Sequence, residues 1–262
     1  AEDLPVITLW PYVSDEQWSL YYLFCDDNPT NLTVDGFADY DRKLGRDGQQ
    51  TVKYFTTRHF PDLVRLSERG QDRGLLPVTP PARNAETGNQ WQVGIDFGTS
   101  FTNFFIDEGA GPENRHLETR VISLTLSQKE ERQRLLNQYF VPEEMLPNAN
   151  NGGNPPTATA ISLRGWQEVI GQVPELFHEA RLRVPSPGEF GGAELRTGFK
   201  WEQMQYQKPF LKELALLISA NAAANGAREL QWSVSYPSAF SPNEVARYRR
   251  VWIELCDDLN EL

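Results

Sequence analysis

Residues 91–106 of this 262-residue chain read WQVGIDFGTSFTNFFI. The stretch contains two apolar segments, Trp91 to Asp96 and Phe101 to Ile106, which are separated by the turn-forming sequence Phe97-Gly98-Thr99-Ser100. Short apolar segments on either side of a glycine-containing turn are typical of a hairpin. We therefore predict a strand, a tight turn and a second strand that pairs back on the first.

The turn has the groups that a metal-bound polyphosphate requires. Gly98 has no Cβ, so a phosphate can come close to the backbone. The amides of Gly98, Thr99, Ser100 and Phe101 can form an anion-binding concavity, and the two hydroxyls add donors. Asp96 offers the oxygen ligand that Mg²⁺ prefers, and because Mg²⁺ usually keeps several waters we expect Asp96 to hold the ion through water. The alternative is an ordinary hairpin turn, since these are common turn residues.

Two other nucleotide-binding motifs are excluded. A Walker-type loop would end in Gly-Lys-Ser/Thr and lead into a helix, whereas Ser100 is followed by a predicted strand. The stretch is also not a dinucleotide fingerprint.

The segments after the hairpin alternate between strand and helix. Residues 157–163 and 166–170 predict another hairpin, and residues 174–182 predict a short helix. A longer helix begins near Pro209 and stops at Gly226, and its apolar stripe is Leu211, Leu214, Ile218 and Ala222. A strand follows around Trp232 to Tyr236, and Ser241-Pro242-Asn243-Glu244 is a capping box that begins a final helix.

The segments before the hairpin predict a separate unit. Residues 1–66 contain aromatic and β-branched clusters separated by turn residues, which indicate a small β-rich unit. Residues 67–90 collect glycine and proline with few apolar side chains and predict a linker. The aromatic cluster Trp10, Trp18, Tyr21, Tyr22 and Phe24 is either a binding face or, as we favour, the core of this unit.

The composition narrows the class of partner. A formal net charge of −11 argues against a nucleic-acid partner, because such binding depends on neutralising phosphates. The longest strictly apolar run near the carboxyl end, Leu214 to Ile218, is far shorter than the roughly 20 residues of a membrane-spanning helix, so no membrane is expected.

Cys25 and Cys256 predict free thiols in a reducing, cytoplasmic compartment. A chain that starts at Ala1 suggests a piece of a longer polypeptide.

Three segments in order resemble one family. Val93 to Thr102 resembles the first phosphate motif of heat-shock-70 chaperones and their actin-like and sugar-kinase relatives. Residues 155–161 and 169–172 resemble the chaperone strand pair that precedes a short helix. Residues 210–240 resemble the helix, strand and proline-containing loop that complete the first lobe. The resemblance covers most of residues 91–262 and implies an α/β, ribonuclease-H-like (actin-like ATPase) first lobe, incomplete, preceded by the small β-rich unit.

The resemblance also implies cofactors and a catalytic residue. ATP and Mg²⁺ are the expected ligands. Lys200 lies roughly where the chaperones carry a lysine that helps to orient the attacking water on the γ-phosphate. The alternative is a solvated lysine near a helix start. The segment between Lys200 and Phe210 is shorter than in the chaperones, which suggests a reduced small subdomain over the nucleotide.

The implied function is that of an ATP-binding, ATP-hydrolysing heat-shock-70-like protein, chaperone-like or regulatory, with a protein partner expected at the amino-terminal unit. The second phosphate motif and the adenosine-binding segment of the family are missing, so we expect half of a cleft and little hydrolysis by these 262 residues alone. One alternative is a non-catalytic interaction scaffold on the same fold. Another is a small-molecule kinase of the superfamily, although no catalytic aspartate is identifiable in the sequence.

Overall fold

The computed structural model describes residues 7–25, 32–44, 50–81, 89–113, 124–127, 157–162, 181–182, 195–198, 200–202 and 204–261. The fold is mixed α/β, and the chain divides into two compact units. The amino-terminal residues up to 83 lie in the first unit and the carboxyl-terminal residues from 180 lie in the second. The change from the first unit to the second after Arg83 falls inside the predicted linker.

The first unit is built on a five-stranded antiparallel sheet. Its strands are β1 (Ile7–Trp10), β2 (Tyr21–Cys25), β4 (Ala38–Leu44), β5 (Gln50–Thr57) and β10 (Leu124–Ser127). They lie in the order β10-β1-β2-β5-β4. We expected residues 124–127 in the second domain, but their backbone pairs with the outer edge of β1, and side-chain pattern alone does not reveal this pairing.

Aromatic side chains fill the core of the first unit. Four of these side chains are buried: Trp10, Trp18, Tyr21 and Tyr22. Trp18 is the most exposed of the four, at 8%. The rings of Trp10 and Trp18 meet edge to face with centroids 6.1 Å apart. For these four residues the core interpretation is confirmed, whereas the side chain of Phe24 lies outside what the structure describes.

A second sheet of the first unit occupies part of the predicted linker. It consists of β3 (Leu32–Val34), β6 (Leu63–Glu68) and β7 (Gln71–Pro77), in the order β3-β6-β7. Residues 71–77 are therefore a strand and not a linker. Arg69 and Gly70 have φ of 52° and 75°, the pair of positive angles that a two-residue hairpin turn requires. This strand was not predicted, because β7 is mostly exposed and lacks an alternating pattern of buried side chains.

The second unit contains a mixed four-stranded sheet. Its strands are β8 (Asn89–Phe97), β9 (Phe101–Asp107), β11 (Thr157–Ala158) and β15 (Ala227–Val234), in the order β11-β9-β8-β15. β9 is antiparallel to both β8 and β11, whereas β15 is parallel to β8. The predicted hairpin over residues 91–106 is confirmed.

Two helices cover one face of this sheet. A short 3₁₀ helix, Met204–Tyr206, precedes α1 (Gln207–Ala224), and α2 (Pro242–Asn260) follows β15. The Phe97 ring lies 5.9 Å from the ring of Phe210 on α1 and 6.1 Å from the ring of Tyr248 on α2. The capping box is confirmed, since the Ser241 side chain accepts from the Glu244 amide and the Glu244 carboxylate accepts from the Ser241 amide. Within the ranges given above, no helix combines the length and apolarity needed to cross a membrane.

A small three-stranded sheet completes the second unit. It consists of β12 (Ala160–Ser162), β13 (Arg181–Leu182) and β14 (Leu195–Thr197), with β12 in the middle. Arg181 and Leu182 are thus strand residues and not the end of a helix, because their backbone pairs with β12. Residues 166–170, the predicted hairpin partner, lie outside the described ranges.

Candidate functional site

The turn between β8 and β9 joins the two inner strands of the sheet. Asp96 is the exposed penultimate residue of β8, and Thr99, Ser100 and Phe101 are also exposed. β15 runs parallel to β8, so the end of β15 lies beside the same turn. The arrangement brings the next connection, which begins at Ser235, next to Asp96.

Gly98 is required by the closeness of the two arms of the turn. A Cβ placed on Gly98 would lie 1.9 Å from the Phe101 carbonyl oxygen, far below the 3.0 Å at which real contacts of this kind begin. The obstacle is backbone, which cannot rotate aside as a side chain would. The turn in this shape therefore excludes every residue except glycine.

Thr159, from a distant segment of the chain, holds two carbonyl oxygens of the turn. The Thr159 hydroxyl donates to the Gly98 oxygen at 2.9 Å, and the Thr159 amide donates to the Ser100 oxygen at 2.9 Å. The Thr102 hydroxyl lies 2.8 Å from that of Thr159. Since the Thr159 proton goes to Gly98, the Thr102 hydroxyl is the donor in this second contact. Both threonines are buried, so the two hydroxyls form a dry chain behind the turn.

Lys200 holds a third carbonyl oxygen. Its Nζ donates to the Phe97 oxygen and lies 5.5 Å from the centre of the Phe97 ring. Only 9% of Lys200 is exposed, and this burial lowers the pKa of its amine, while the negative charge of Asp96 acts in the opposite direction. The Gln207 side chain donates to the Lys200 carbonyl at 2.8 Å. Lys200 is thus a buried lysine tied to the turn, and the solvated alternative is wrong.

These contacts determine which way the amides of the turn point. Its peptide groups are trans, and a trans peptide directs its C=O and its N–H to opposite sides. Three carbonyl groups of the turn point at Lys200 and Thr159. The N–H groups that follow them, of Gly98, Thr99 and Phe101, therefore point the other way. Among the described residues, the amides of Gly98 and Thr99 donate to no acceptor. Successive backbone N–H groups without a protein acceptor are able to form an anion-binding concavity.

Asp96 is oriented by Ser235, a residue that we did not predict to belong to the site. The Ser235 hydroxyl donates to Asp96 Oδ1 at 2.9 Å, and the Ser235 amide donates to the Ile95 oxygen at 2.9 Å. Asp96 Oδ2 accepts no hydrogen bond from any residue that the structure describes. An exposed carboxylate with one oxygen held and the other open fits Mg²⁺, which binds through one or two carboxylates and keeps several waters. The described ranges contain no cluster of three or more His, Cys, Asp or Glu side chains that could cage a metal ion.

An aromatic contact adds a further residue to the site. Trp201 Nε1 donates to the Thr99 hydroxyl oxygen at 3.0 Å, and the Trp201 ring packs edge to face on Phe240 at 5.4 Å. Phe240 in turn contacts the ring of Tyr248 at 6.1 Å. Burial raises the pKa of Tyr248 to about 12, and the negative charge of Asp96 acts in the same direction. The tyrosine is therefore neutral and serves as packing beside the turn.

The structure thus brings together the residues of the predicted site: Asp96, Gly98, Thr99, Ser100, Phe101 and Lys200. It adds Thr159, Trp201 and Ser235. Two of these had a sequence signal, since Trp201 directly follows Lys200 and Thr159 lies in the second segment of the family resemblance. Ser235 had none, because only the parallel pairing of β15 with β8 brings it to Asp96.

Comparisons of this chain with protein-family models, with curated proteins and with solved structures found no match.

Proposed function

We propose that the second unit is the first lobe of an actin-like, ribonuclease-H-like nucleotide-binding domain of heat-shock-70 type, and that it binds the phosphates of magnesium-ATP at the turn after β8. The observation that carries the proposal is the outward direction of the Gly98 and Thr99 amides beside the open carboxylate of Asp96. This combination offers donors to an anion and an oxygen to its cation.

The topology of the second unit supports the proposal. β8, β9 and β11 are successive antiparallel neighbours, and α1 then leads to β15, which lies on the other side of β8 and parallel to it. α2 follows and packs on the same face as α1. A ribonuclease-H-like lobe is expected to have this arrangement: three antiparallel strands, then a helix, then a fourth strand that lies beside the first and parallel to it.

The residues of the turn divide the work of holding a polyphosphate. The amides of Gly98, Thr99 and Phe101 and the hydroxyls of Thr99 and Ser100 donate to phosphate oxygens. Asp96 would hold Mg²⁺ through water, and Ser235 keeps the carboxylate in place. Bound there, Mg²⁺ would neutralise charge on the β- and γ-phosphates. Hydrolysis of this kind depends mainly on positioning and electrostatics.

Lys200 is the catalytic residue of the proposal, with the role of orienting water at the γ-phosphate. Its amine lies beside the turn and close enough to Asp96 for their charges to interact. To reach a phosphate the amine must give up the Phe97 carbonyl. An arriving phosphate supplies a stronger, charge-assisted acceptor in exchange.

The amino-terminal unit has a different role in the proposal, that of docking a protein partner. Trp10, Trp18, Tyr21 and Tyr22 are used in its core, so a docking surface there would consist of other residues. If the second unit bound no nucleotide, the scaffold function would be the better account of the whole chain. A small-molecule kinase has no particular observation in its favour.

Thermal melts of the full chain with and without magnesium-ATP test the proposal. Ligand at ten times its Kd stabilises the native state by about 1.4 kcal/mol. For a unit of this size that is a rise in Tm of about 3 to 6 °C. Asp96→Ala should lose the magnesium-dependent rise, whereas Asp62→Ala, which removes an exposed aspartate of the first unit, should keep it. An unchanged Tm in the wild type at saturating nucleotide contradicts the proposal.

A further inference from the structure

Trp201 makes a polar contact with the proposed phosphate turn that packing alone does not require. The residue is 42% exposed, its ring packs on Phe240, and its Nε1 donates to the Thr99 hydroxyl oxygen at 3.0 Å. The backbone around Trp201 is itself held, because the amides of Trp201 and Glu202 both donate to the Gly198 oxygen. The indole therefore reaches Thr99 from an anchored segment.

The direction of this hydrogen bond determines what the Thr99 hydroxyl can do. The indole N–H is a donor only, whereas a hydroxyl has one proton and two acceptor lone pairs. Trp201 occupies a lone pair of Thr99, so the Thr99 proton remains for an acceptor. Thr99 is exposed, and its own amide also points out of the turn. The two donors of one residue are thus available to the same anion.

We infer that Trp201 is a positioning residue, which orients the Thr99 hydroxyl as a hydrogen-bond donor to a phosphate oxygen. The inference deepens the proposed function and rests on it. A metal ligand must offer a lone pair to the ion, and the indole N–H already takes one of the two lone pairs of Thr99. The metal is assigned to Asp96, one of whose carboxylate oxygens accepts from the Ser235 hydroxyl.

Calorimetric titration of the full chain with inorganic tripolyphosphate and Mg²⁺ tests the inference. Trp201→Phe keeps an aromatic ring for Phe240 but removes the N–H, and we expect binding to weaken about three- to tenfold, as for loss of one hydrogen bond. Thr99→Val should weaken binding by at least as much, and Thr99→Ser should retain it. In the Thr99→Val background, Trp201→Phe should have no further effect, because its target hydroxyl is absent.

The dependence on metal distinguishes a donor from a ligand. The Mg²⁺ concentration at half-maximal binding should be the same in the wild type, Trp201→Phe and Thr99→Val, and higher in Asp96→Ala. If Thr99→Val shifted it as Asp96→Ala does, Thr99 would be a metal ligand and the inference would be overturned.

The remaining outcomes separate this inference from the proposed function. Wild-type binding that Trp201→Phe leaves unchanged overturns the inference alone. Absence of tripolyphosphate binding by the wild type overturns the proposed function and the inference with it. Should Trp201→Phe fail to fold, Thr99→Val against Thr99→Ser tests the same hydroxyl from the other partner.

Discussion

Replacing Gly98 by alanine should destabilise the second unit and remove phosphate binding together. The new Cβ would lie 1.9 Å from the Phe101 oxygen, and a tolerable contact requires at least 3.0 Å, so the two arms of the turn must separate by more than 1 Å. Overpacking of this kind costs about 1 to 3 kcal/mol. Opening the turn also weakens the hydrogen bond from Thr159 to the Gly98 oxygen, which contributes about 1 kcal/mol.

A total near 3 kcal/mol corresponds to a fall in Tm of about 6 to 12 °C for a unit of this size. Differential scanning calorimetry of the full chain measures it. Gly94→Ala is the matched control, because its nearest neighbours, atoms of Phe105, are 3.9 Å away or more. Glycine within a strand is less stable than alanine by about 0.5 to 1 kcal/mol, so this control should match or exceed the wild type. If Gly98→Ala melted with the wild type and still bound tripolyphosphate, the argument from the closed turn would be refuted.

Three further changes test other parts of the structure. Thr159→Val leaves the buried Thr102 hydroxyl without its partner and should cost about 1 to 3 kcal/mol by denaturant titration; no loss would mean that the hydroxyl chain does not stabilise the turn. Gly70→Ala places a side chain at a φ of 75° and should cost about 1 kcal/mol in the same titration, whereas an unchanged midpoint would argue against the hairpin in the predicted linker. Hydrogen bonds from Ser241 lower the pKa of the Glu244 carboxylate below its usual 4.5. The stabilisation of the native state by these hydrogen bonds is therefore present above that pH and is lost as the pH falls through the lowered pKa. The free energy of unfolding should differ between Glu244→Gln and the wild type at neutral pH, and this difference should disappear in acid. A difference that stays constant with pH would contradict the role given to the Glu244 carboxylate.

Several elements were predictable because their signals are local. The hairpin over residues 91–106 follows from two apolar segments around a glycine turn. The start of α2 follows from Ser241, Pro242 and Glu244 within four residues, and α1 follows from its apolar stripe. The buried tryptophans and tyrosines of the first unit were also recognisable, since large aromatic clusters in a small unit usually form its core.

Other elements have no adequate local signal. β7 is mostly exposed, so its sequence resembles a linker, and it forms because the Arg69-Gly70 turn folds it back on β6. β10 and β13 are short strands. Each pairs with a strand that lies far from it along the chain, β10 with β1 and β13 with β12. Edge strands of this kind are stabilised by backbone pairing, which leaves little mark on side-chain composition.

The candidate site likewise has one part with a local sequence signal and another part without one. The sequence alone determined that Gly98 stands in a turn with Asp96 before it and two hydroxyls after it, because residue type and order are sufficient for that. Tertiary structure alone decided the direction of the amides, through Thr159, which is 61 residues from Gly98, and Lys200, which is 103 residues from Phe97. A peptide group in a short turn can face either way at similar local energy, so its orientation is determined by whichever distant donors the fold brings to its carbonyl oxygen.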